Sequence, residues 1–382
     1  MSLGVKQADR EGNSYLKMLQ KIFEFFRSKL LALVLMILIL VVIFIATVFL
    51  PVGTAQRLVF SSLWFNGLLI LIVANTACCF FSRIHRRGWT PVSSGMVIFH
   101  LSFVTMFAGI VVNGLFHFKG SLRLTEGETI GMGNPVGYDQ LESGRFFNQS
   151  WLRGDVTFQK LHTDYKVGNV SKGPACEISA VEGARQVTGV IYPTHHLMFN
   201  GFKLFRDKEG YTPLFMLSDK NGKELYGAYT ALQSFKQADG TYLYTTGTKQ
   251  GGPGSADFPQ IPNIAQLFKI QFTYHPPKLE KGISAATFKV WEYDKGKQDG
   301  QGRLIFEGTA PMGGKASFGD YSLSMKEVRY WASMEVLYNP AQTIVFGSLW
   351  AGLAGFSLTM FGRMRRSRFH NEVNYMNTGR NK

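Results

Sequence analysis

The sequence has few charged residues and few cysteines for its length. Charged side chains make up 18% of the 382 residues, whereas 46% are hydrophobic, which is a more apolar balance than soluble chains usually show. The three cysteines, Cys78, Cys79 and Cys176, form no C-x-x-C or C-x-x-C-H motif. Thioredoxin-like redox chemistry and c-type haem attachment to this chain are therefore not supported, and part of the chain is expected to lie in lipid.

A basic stripe of the kind that binds nucleic acid is also missing. Most of the net charge of +15 lies in three segments that adjoin hydrophobic runs, 1–29, 82–91 and 363–382, while 118–340 is nearly balanced. A groove that follows a phosphate backbone needs basic residues interleaved with aromatic ones, so we expect no nucleic-acid partner. We also find no Ser/His/Asp order, paired carboxylates or phosphate-binding glycine loop, and we expect no independent catalysis.

Four uncharged hydrophobic runs are each long enough to cross a hydrocarbon core of about 30 Å as a helix. They are Leu30–Leu50, Leu63–Phe81, Val92–Phe116 and Ala341–Gly362. The first run is too long for the apolar region of a cleaved signal peptide, so we expect it to be retained as a span.

Lysine and arginine cluster before the first run, after the second and after the fourth, and such clusters mark the cytoplasmic side of short loops. The loop 51–62 has only Arg57. The predicted order is a cytoplasmic N terminus (1–29), three spans with short loops (30–117), an extracytoplasmic domain (118–340), a fourth span (341–362) and a cytoplasmic basic tail (363–382).

The segment 118–340 has the pattern of antiparallel β structure. Phe268, Ile270, Phe272 and Tyr274 alternate with mostly polar neighbours, which predicts a strand with one buried face. Turn signals such as 219–222 and the glycine-rich stretch 295–302 separate many of the runs, so we expect a sandwich or an open barrel. Similar short runs occur at 121–124, 156–161, 176–181, 202–206, 213–218, 241–245, 286–293 and 303–307.

His100 is the main candidate functional residue, because an ionisable side chain inside a span is costly and usually faces protein or a ligand. It lies about 12 Å into the third run, a depth suited to an axial ligand of a haem held between helices. The alternative is a neutral histidine bonded to a neighbouring carbonyl or hydroxyl, such as that of Ser102 or Thr105. The position in the sequence does not separate these two roles.

A second intramembrane histidine is missing from the other three runs, and His117 lies 17 residues further on, at the outer edge. The second haem ligand is therefore expected from another polypeptide or, with less support, from Met36 or Met360. Cys78 and Cys79 are expected to be small apolar fillers. The remaining histidines considered are expected to be ordinary surface groups, and they are His162, His195, His196 and His275.

Gly347, Ala351 and Gly355 are spaced at i, i+4 and i+8 in the last run, which predicts a face that another helix can approach closely. That helix could belong to this chain or to a partner subunit. The spacing alone leaves both possibilities open.

Several short segments follow one another in a characteristic order. They are Phe26-Arg27-Ser28-Lys29 before span one, Trp64-Phe65 and Cys78-Cys79 with Arg83 in and after span two, Gly88 to His100, Leu122 to Thr129, His196 to Phe205, and Asn339-Pro340. Taken in order, these segments resemble those of the ResB (CcsB) proteins of the System II cytochrome c biogenesis machinery. His195-His196 departs from the commonest pattern of that family, which leaves open a specialised relative that serves one cytochrome.

The resemblance implies a ResC (CcsA)-type partner, together with which the chain moves haem outward and presents it to the CxxCH motifs of apocytochrome c. It implies that His100 is a haem ligand, with a b-type haem shared between the two chains. It also implies a bacterial inner-membrane protein with its large domain in the periplasm or on the outer face. Two alternatives remain, a membrane anchor of an electron-transfer complex that docks a multihaem cytochrome, and an anchor without a cofactor.

Overall fold

The computed structural model describes residues 20–84, 90–247, 251–259, 268–277, 283–294, 296 and 300–379. The chain divides into two compact units. The helical unit lies within Met1–Phe118, Glu142–Asn148 and Tyr338–Lys382, and the β unit comprises Lys119–Leu141 and Gln149–Leu337.

The helical unit is built from long apolar helices with local capping signals. Ser28 Oγ accepts a hydrogen bond from Leu31 N at 3.4 Å and starts the first long helix, and Ser62 Oγ accepts one from Phe65 N at 3.3 Å at the start of the third helix. The helices are α1 (Lys29–Phe49), α2 (Val52–Ala55), a π-helical turn (Gln56–Phe60), α3 (Leu63–Ile84), α4 (Pro91–Phe116) and α5 (Gln342–Gly379).

Three of these helices are long and apolar enough to cross a membrane, namely Lys29–Phe49, Pro91–Phe116 and Gln342–Arg365. Val52–Phe60 and Leu63–Cys79 form a pair bent by 57°, which makes a fourth span if the two helices cross together. The described residues therefore hold three or four candidate spans. The segment 51–62, treated above as a loop, is largely helical, and α5 continues well beyond the predicted end at Gly362.

The β unit contains three sheets, and every ladder with a defined register is antiparallel. The seven-stranded sheet contains β1 (Phe118–Thr125), β3 (Tyr138–Ser143), β7 (Leu197–Phe199), β8 (Phe202–Asp219), β9 (Glu224–Tyr229), β16 (Lys315–Phe318) and β17 (Tyr321–Tyr338). The six-stranded sheet contains β10 (Gln233–Lys236), β11 (Tyr242–Thr245), β12 (Ala256–Phe258), β13 (Phe268–His275), β14 (Ala285–Tyr293) and β15 (Gln301–Pro311). The four-stranded sheet contains β2 (Thr129–Gly131), β4 (Asp155–Val167), β5 (Val170–Glu182) and β6 (Arg185–Ile191).

In the seven-stranded sheet the strand order is β3-β1-β17-β8-β7, and in addition β16 pairs with β17 and β9 pairs with β8. In the six-stranded sheet the order is β10-β11-β13-β14-β15, and β12 pairs with β13. In the four-stranded sheet the order is β2-β4-β5-β6. The seven- and six-stranded sheets share one hydrophobic core. At its centre the ring of Phe215 on β8 stacks on that of Phe272 on β13, with centroids 4.0 Å apart. Two antiparallel sheets packed face to face form a sandwich, one of the two architectures expected.

The predicted strand register is confirmed at β13, where Ile270, Phe272 and Tyr274 are buried and Phe268 is partly buried. The runs 202–206 and 213–218 lie in the single long strand β8, and the turn that follows it forms as expected. There Asn221 N and Lys223 N donate to Asp219 Oδ1 at 2.9 and 2.8 Å. Part of the glycine-rich stretch 295–302 lies outside the described residues.

Candidate functional site

His100 lies in the third turn of α4, and the start of this helix is fixed by its sequence. Thr90 and Ser93 form a capping box, in which Ser93 N donates to Thr90 Oγ1 at 3.1 Å and Thr90 N donates to Ser93 Oγ at 2.8 Å. Pro91 follows the cap at the first helical position, where its missing N–H has no consequence. The depth of His100 in the helix is therefore set locally.

The imidazole of His100 bonds to its own helix. Its Nδ1 lies 2.7 Å from Met96 O, and because a carbonyl only accepts, the proton belongs on Nδ1. The lone pair is then on Nε2, the arrangement found in metal-ligating histidines that donate their other N–H to a carbonyl. The hydroxyls of Ser102 and Thr105 donate to other backbone carbonyls of α4. The bond to Met96 O is compatible both with a ligand and with a purely structural histidine.

The position of His100 around α4 is decided by the neighbouring helices. His100, Phe107 and Val111 are spaced at i, i+7 and i+11 and so share one face of the helix. Phe107 and Val111 pack there into a hydrophobic cluster with residues of α1 and α3. The opposite face carries Gly95 and Gly109 and packs against α5. His100, which is partly buried, therefore faces away from α5.

The contact between α4 and α5 is a close backbone approach at glycines. A Cβ added to Gly355 would lie 2.7 Å from Phe99 N and 2.8 Å from Gly95 O. A Cβ at Gly347 would meet no other helix within 4 Å, and Ala351 is exposed. The predicted small-residue face is thus divided, because Gly355 packs within this chain while the other two residues point away. A contact of Gly347 and Ala351 with a partner subunit stays a prediction.

A second haem ligand from Met36 or Met360 stays a prediction. The described residues contain no group of three or more histidine, cysteine, aspartate or glutamate side chains that could hold a metal ion. Met36 and Met360 are both about half exposed on their helices, at 51% and 43%. Met360 also belongs to α5, which packs on the other side of α4 from His100.

His117 caps the C-terminal end of α4 and is 7% exposed. Its Nδ1 lies 3.2 Å from the carbonyl oxygens of both Asn113 and Gly114, and its Nε2 lies 3.4 Å from the Gln56 amide nitrogen. These contacts join the end of α4 to the π-helical turn. The geometry supports a packing role for this histidine.

Two buried asparagines in α3 were not singled out from the sequence. Asn75 Nδ2 donates to Phe26 O at 2.6 Å and to Ser28 O at 3.0 Å. These bonds satisfy two backbone carbonyls at the interruption between the helical residues before Arg27 and α1. Asn66 Nδ2 similarly donates to Phe60 O and Ser62 O. Their signal was an amide inside an apolar run, which usually marks a polar contact between helices. Beside Asn75, Cys79 Sγ donates to Arg27 O at 3.2 Å.

The histidines of the β unit each contact a neighbouring side chain, and their role as ordinary surface groups stays a prediction. Burial lowers the pKa of His196 and nearby Lys203 and His195 lower it further, which disfavours a charged imidazole. Cys176 is fully buried, and burial raises the pKa of its thiol to about 12. The contacts are His162 with Glu177 (3.1 Å), His195 with the Tyr192 ring (5.1 Å), His196 with the Phe205 ring (4.8 Å) and His275 with Thr287 (2.8 Å).

The profile of the ResB-like family matches residues 93–373, which is most of the chain. The chain belongs to the ResB-like family. No match was found among curated proteins. Membership of the ResB-like family implies a role in cytochrome c biogenesis, and together with the apolar helices it indicates a membrane protein. The matched range includes His100, the β unit and the apolar part of α5, and it begins after α1 and α3.

Proposed function

We propose that this ResB-like protein is a subunit of a System II haem export and cytochrome c assembly complex. In this complex His100 supplies one axial ligand to a b-type haem, and a ResC (CcsA)-type membrane protein supplies the other. The β unit lies outside the cytoplasm and meets apocytochrome c. The observation that carries the proposal is a histidine inside an apolar helix, oriented by Met96 O, within the range matched by the family.

The residues around His100 fit one half of a haem site. The bond between Nδ1 and Met96 O restrains rotation of the imidazole, as in histidine ligands that are oriented by a backbone carbonyl. The ring of Phe99 stands edge-on to that of His100 at 5.6 Å, and Phe103 lies 4.9 Å from Phe99. An apolar aromatic surrounding suits a porphyrin. A haem bound here would supply an iron to which the imidazole of His100 would be a ligand.

The partner is inferred from what this chain lacks near His100 among its described residues. At 1.5 Å per residue, His117 is about 25 Å further along α4, too far to share one iron with His100. Its nitrogens are also engaged by the end of the helix and by Gln56. A second helical chain that brings a histidine to the same depth completes the ligand set.

The orientation is supported by the basic residues beside the apolar helices. Lys21, Arg27 and Lys29 precede or begin α1, and Arg363 and Arg365 lie at the other end of the chain, in the last part of the apolar stretch of α5. Positive residues accumulate on the cytoplasmic side of a bacterial inner membrane. The β unit, which lies between α4 and α5 in sequence, is then on the periplasmic or outer face.

Replacement of His100 by alanine tests the role directly. We expect His100→Ala to lower haem content and cytochrome c maturation without lowering the amount of protein in the membrane, since the lost bond lies within one helix. Added imidazole should restore haem binding because it can occupy the vacated axial position. The control is His117→Ala, which should lower protein accumulation because it removes a buried packing group.

Normal haem content and normal maturation in His100→Ala would refute the ligand role. A haem that stays bound to the wild-type chain purified without any partner would instead favour the anchor of an electron-transfer complex. The optical spectrum of the purified protein, recorded with and without the partner, separates these outcomes.

A further inference from the structure

The β unit contains a cleft of about 750 Å³ that the proposed function does not yet use. Strands of all three sheets contribute to its walls, and its volume lies within the range of about 300–1,000 Å³ that is usual for ligand pockets. The seven-stranded sheet contributes Arg123, Arg206, Tyr211, Tyr330 and Trp331, the six-stranded sheet Gln233, Ser234, Tyr242 and Tyr244, and the four-stranded sheet Leu161, Thr163 and Pro174.

Tyrosines dominate one wall of the cleft. The ring of Tyr211 lies 4.8 Å from that of Tyr244 and 5.3 Å from that of Tyr330, and all three side chains are half-buried. Burial raises the pKa of Tyr211 to about 12 and also raises the pKa of the other two. The phenols are therefore neutral near pH 7, where they can both donate and accept hydrogen bonds.

The arginines in the cleft are already neutralised by acidic neighbours. Arg123 forms an ion pair with Asp139 at 2.7 Å, and its guanidinium lies over the Trp331 ring at 5.1 Å from the centroid. Arg206 is paired with Glu209 on the same strand. Lys208 and Asp207, also on β8, line the cleft as well, so its walls carry charges of both signs. Such walls, together with the tyrosines, suit a ligand that has both polar and apolar groups rather than one that is uniformly anionic.

The floor of the cleft is held in place without a ligand. Trp331 Nε1 donates to Leu232 O at 2.8 Å, and the ring packs so closely on Gly210 that a Cβ there would lie 2.6 Å from Nε1. A preformed site loses less entropy on binding than one that must first order its side chains.

We propose that this cleft binds an extended segment of an unfolded polypeptide. Tyrosine, tryptophan and arginine are the residues most enriched at the centres of protein interfaces, and neutral phenols, Gln233 and Ser234 match the peptide groups of an extended chain. The proposal rests on the proposed function, because cytochrome c assembly requires contact with a polypeptide before it folds. Apocytochrome c is the partner of that chemistry.

The test uses the full-length protein in lipid nanodiscs and a fluorescently labelled, haem-free cytochrome c polypeptide as the probe. Ser234 is exposed at the cleft, so Ser234→Trp fills the cleft without disturbing a core. We expect it to weaken binding of the polypeptide by about tenfold or more, and Tyr242→Ala to weaken it by about threefold to tenfold. The matched control is Ser317→Trp, at an exposed strand serine that does not line the cleft, and it should bind like wild type.

Equal binding by Ser234→Trp and Ser317→Trp would overturn the proposal, as would failure of the wild-type protein to bind the polypeptide. Haemin serves as a second probe, and if Ser234→Trp abolished haemin binding while sparing the polypeptide, the cleft would be a porphyrin site instead. Haem content at His100 should be unchanged in Ser234→Trp. The haem-ligand proposal is tested by the haem content of His100→Ala, and the cleft proposal by polypeptide binding of Ser234→Trp. Either proposal can therefore fail without the other.

Discussion

The close contact between α4 and α5 predicts a large difference between two glycines of the same helix. Gly355 meets the backbone of α4, whereas a Cβ at Gly347 would meet none of the described neighbouring residues within 4 Å. Gly355→Ala and Gly347→Ala add the same methyl group to the same helix. Any general gain in helix propensity, at most about 1 kcal/mol, is therefore common to both variants.

The magnitude follows from the distances. A Cβ at Gly355 would stand 2.7 Å from Phe99 N and 2.8 Å from Gly95 O, where ordinary contacts begin at 3.4 Å. The helices must move apart locally by roughly 0.6–1 Å, and a gap of that size forfeits about a quarter to a half of the dispersion energy of the neighbouring contacts. Overpacking of this kind costs about 1–3 kcal/mol, so Gly355→Ala should be less stable than Gly347→Ala by that amount.

The assay is unfolding of the purified chain in mixed micelles by added SDS, followed by the loss of helical circular dichroism. Gly95→Ala should behave like Gly355→Ala, because its Cβ would lie 2.7 Å from Gly355 O. The variant with both Gly95→Ala and Gly355→Ala should lose less stability than the sum of the losses in the two single variants, because one separation of the helices accommodates both methyl groups. Equal midpoints for Gly355→Ala and Gly347→Ala, or strict additivity of the pair, would refute the reasoning.

Two further predictions concern the β unit. Phe272→Asp should abolish the cooperative unfolding of the β unit in the full chain, because it removes a fully buried ring and buries an unpaired carboxylate at a cost of several kcal/mol. The control is Leu304→Asp, at an exposed position of the same sheet, which should change the free energy of unfolding by less than about 1 kcal/mol. Comparable melting curves for the two variants would contradict the core assignment. Asn221→Cys, in the turn after β8, should react with a membrane-impermeant maleimide in intact cells. The buried Cys176 should give little background labelling, because burial raises the pKa of its thiol to about 12. Labelling of Asn221→Cys only after the inner face is opened would reverse the proposed orientation.

The hydrophobic runs predict the helices closely because burial in lipid is a property of each segment by itself. The run Leu30–Leu50 corresponds to α1 at Lys29–Phe49, and Val92–Phe116 corresponds to α4 at Pro91–Phe116. The end of α5 was not predicted, because the apolar run ends at the basic residues after Gly362, whereas the backbone stays helical beyond them. Arginine and methionine are good helix formers and no proline follows Gly362, so the helix continues to Gly379.

The contacting face of α5 could not be predicted from spacing alone. The pattern of Gly347, Ala351 and Gly355 describes one row of small residues, but the glycines of α5 that meet α4 are Gly352, Gly355 and Gly362. Which row is used depends on the crossing of the two helices and on the shape of α4, and neither is encoded in the last run.

The cleft of the β unit could not be predicted from local sequence patterns either. Arg123, Arg206, Tyr244 and Tyr330 belong to four strands that are far apart in sequence, and only the pairing of the sheets brings them together. Alternation of apolar and polar residues predicted which face of β13 is buried. It carries no information about which strands border one another at a seam.

His100 and the glycine contact occupy different faces of α4, and this division is compatible with the haem site that we propose is shared with a partner chain. A metal ligand must be held by a rigid element, and the close backbone contact with α5 provides that support on the face that carries Gly95 and Gly109. On the other face, the hydrophobic residues of α4 that join the cluster with α1 and α3 begin at Phe107, two turns after His100. Gly355→Ala, by moving α4, should then also reduce haem content, whereas Gly347→Ala should not.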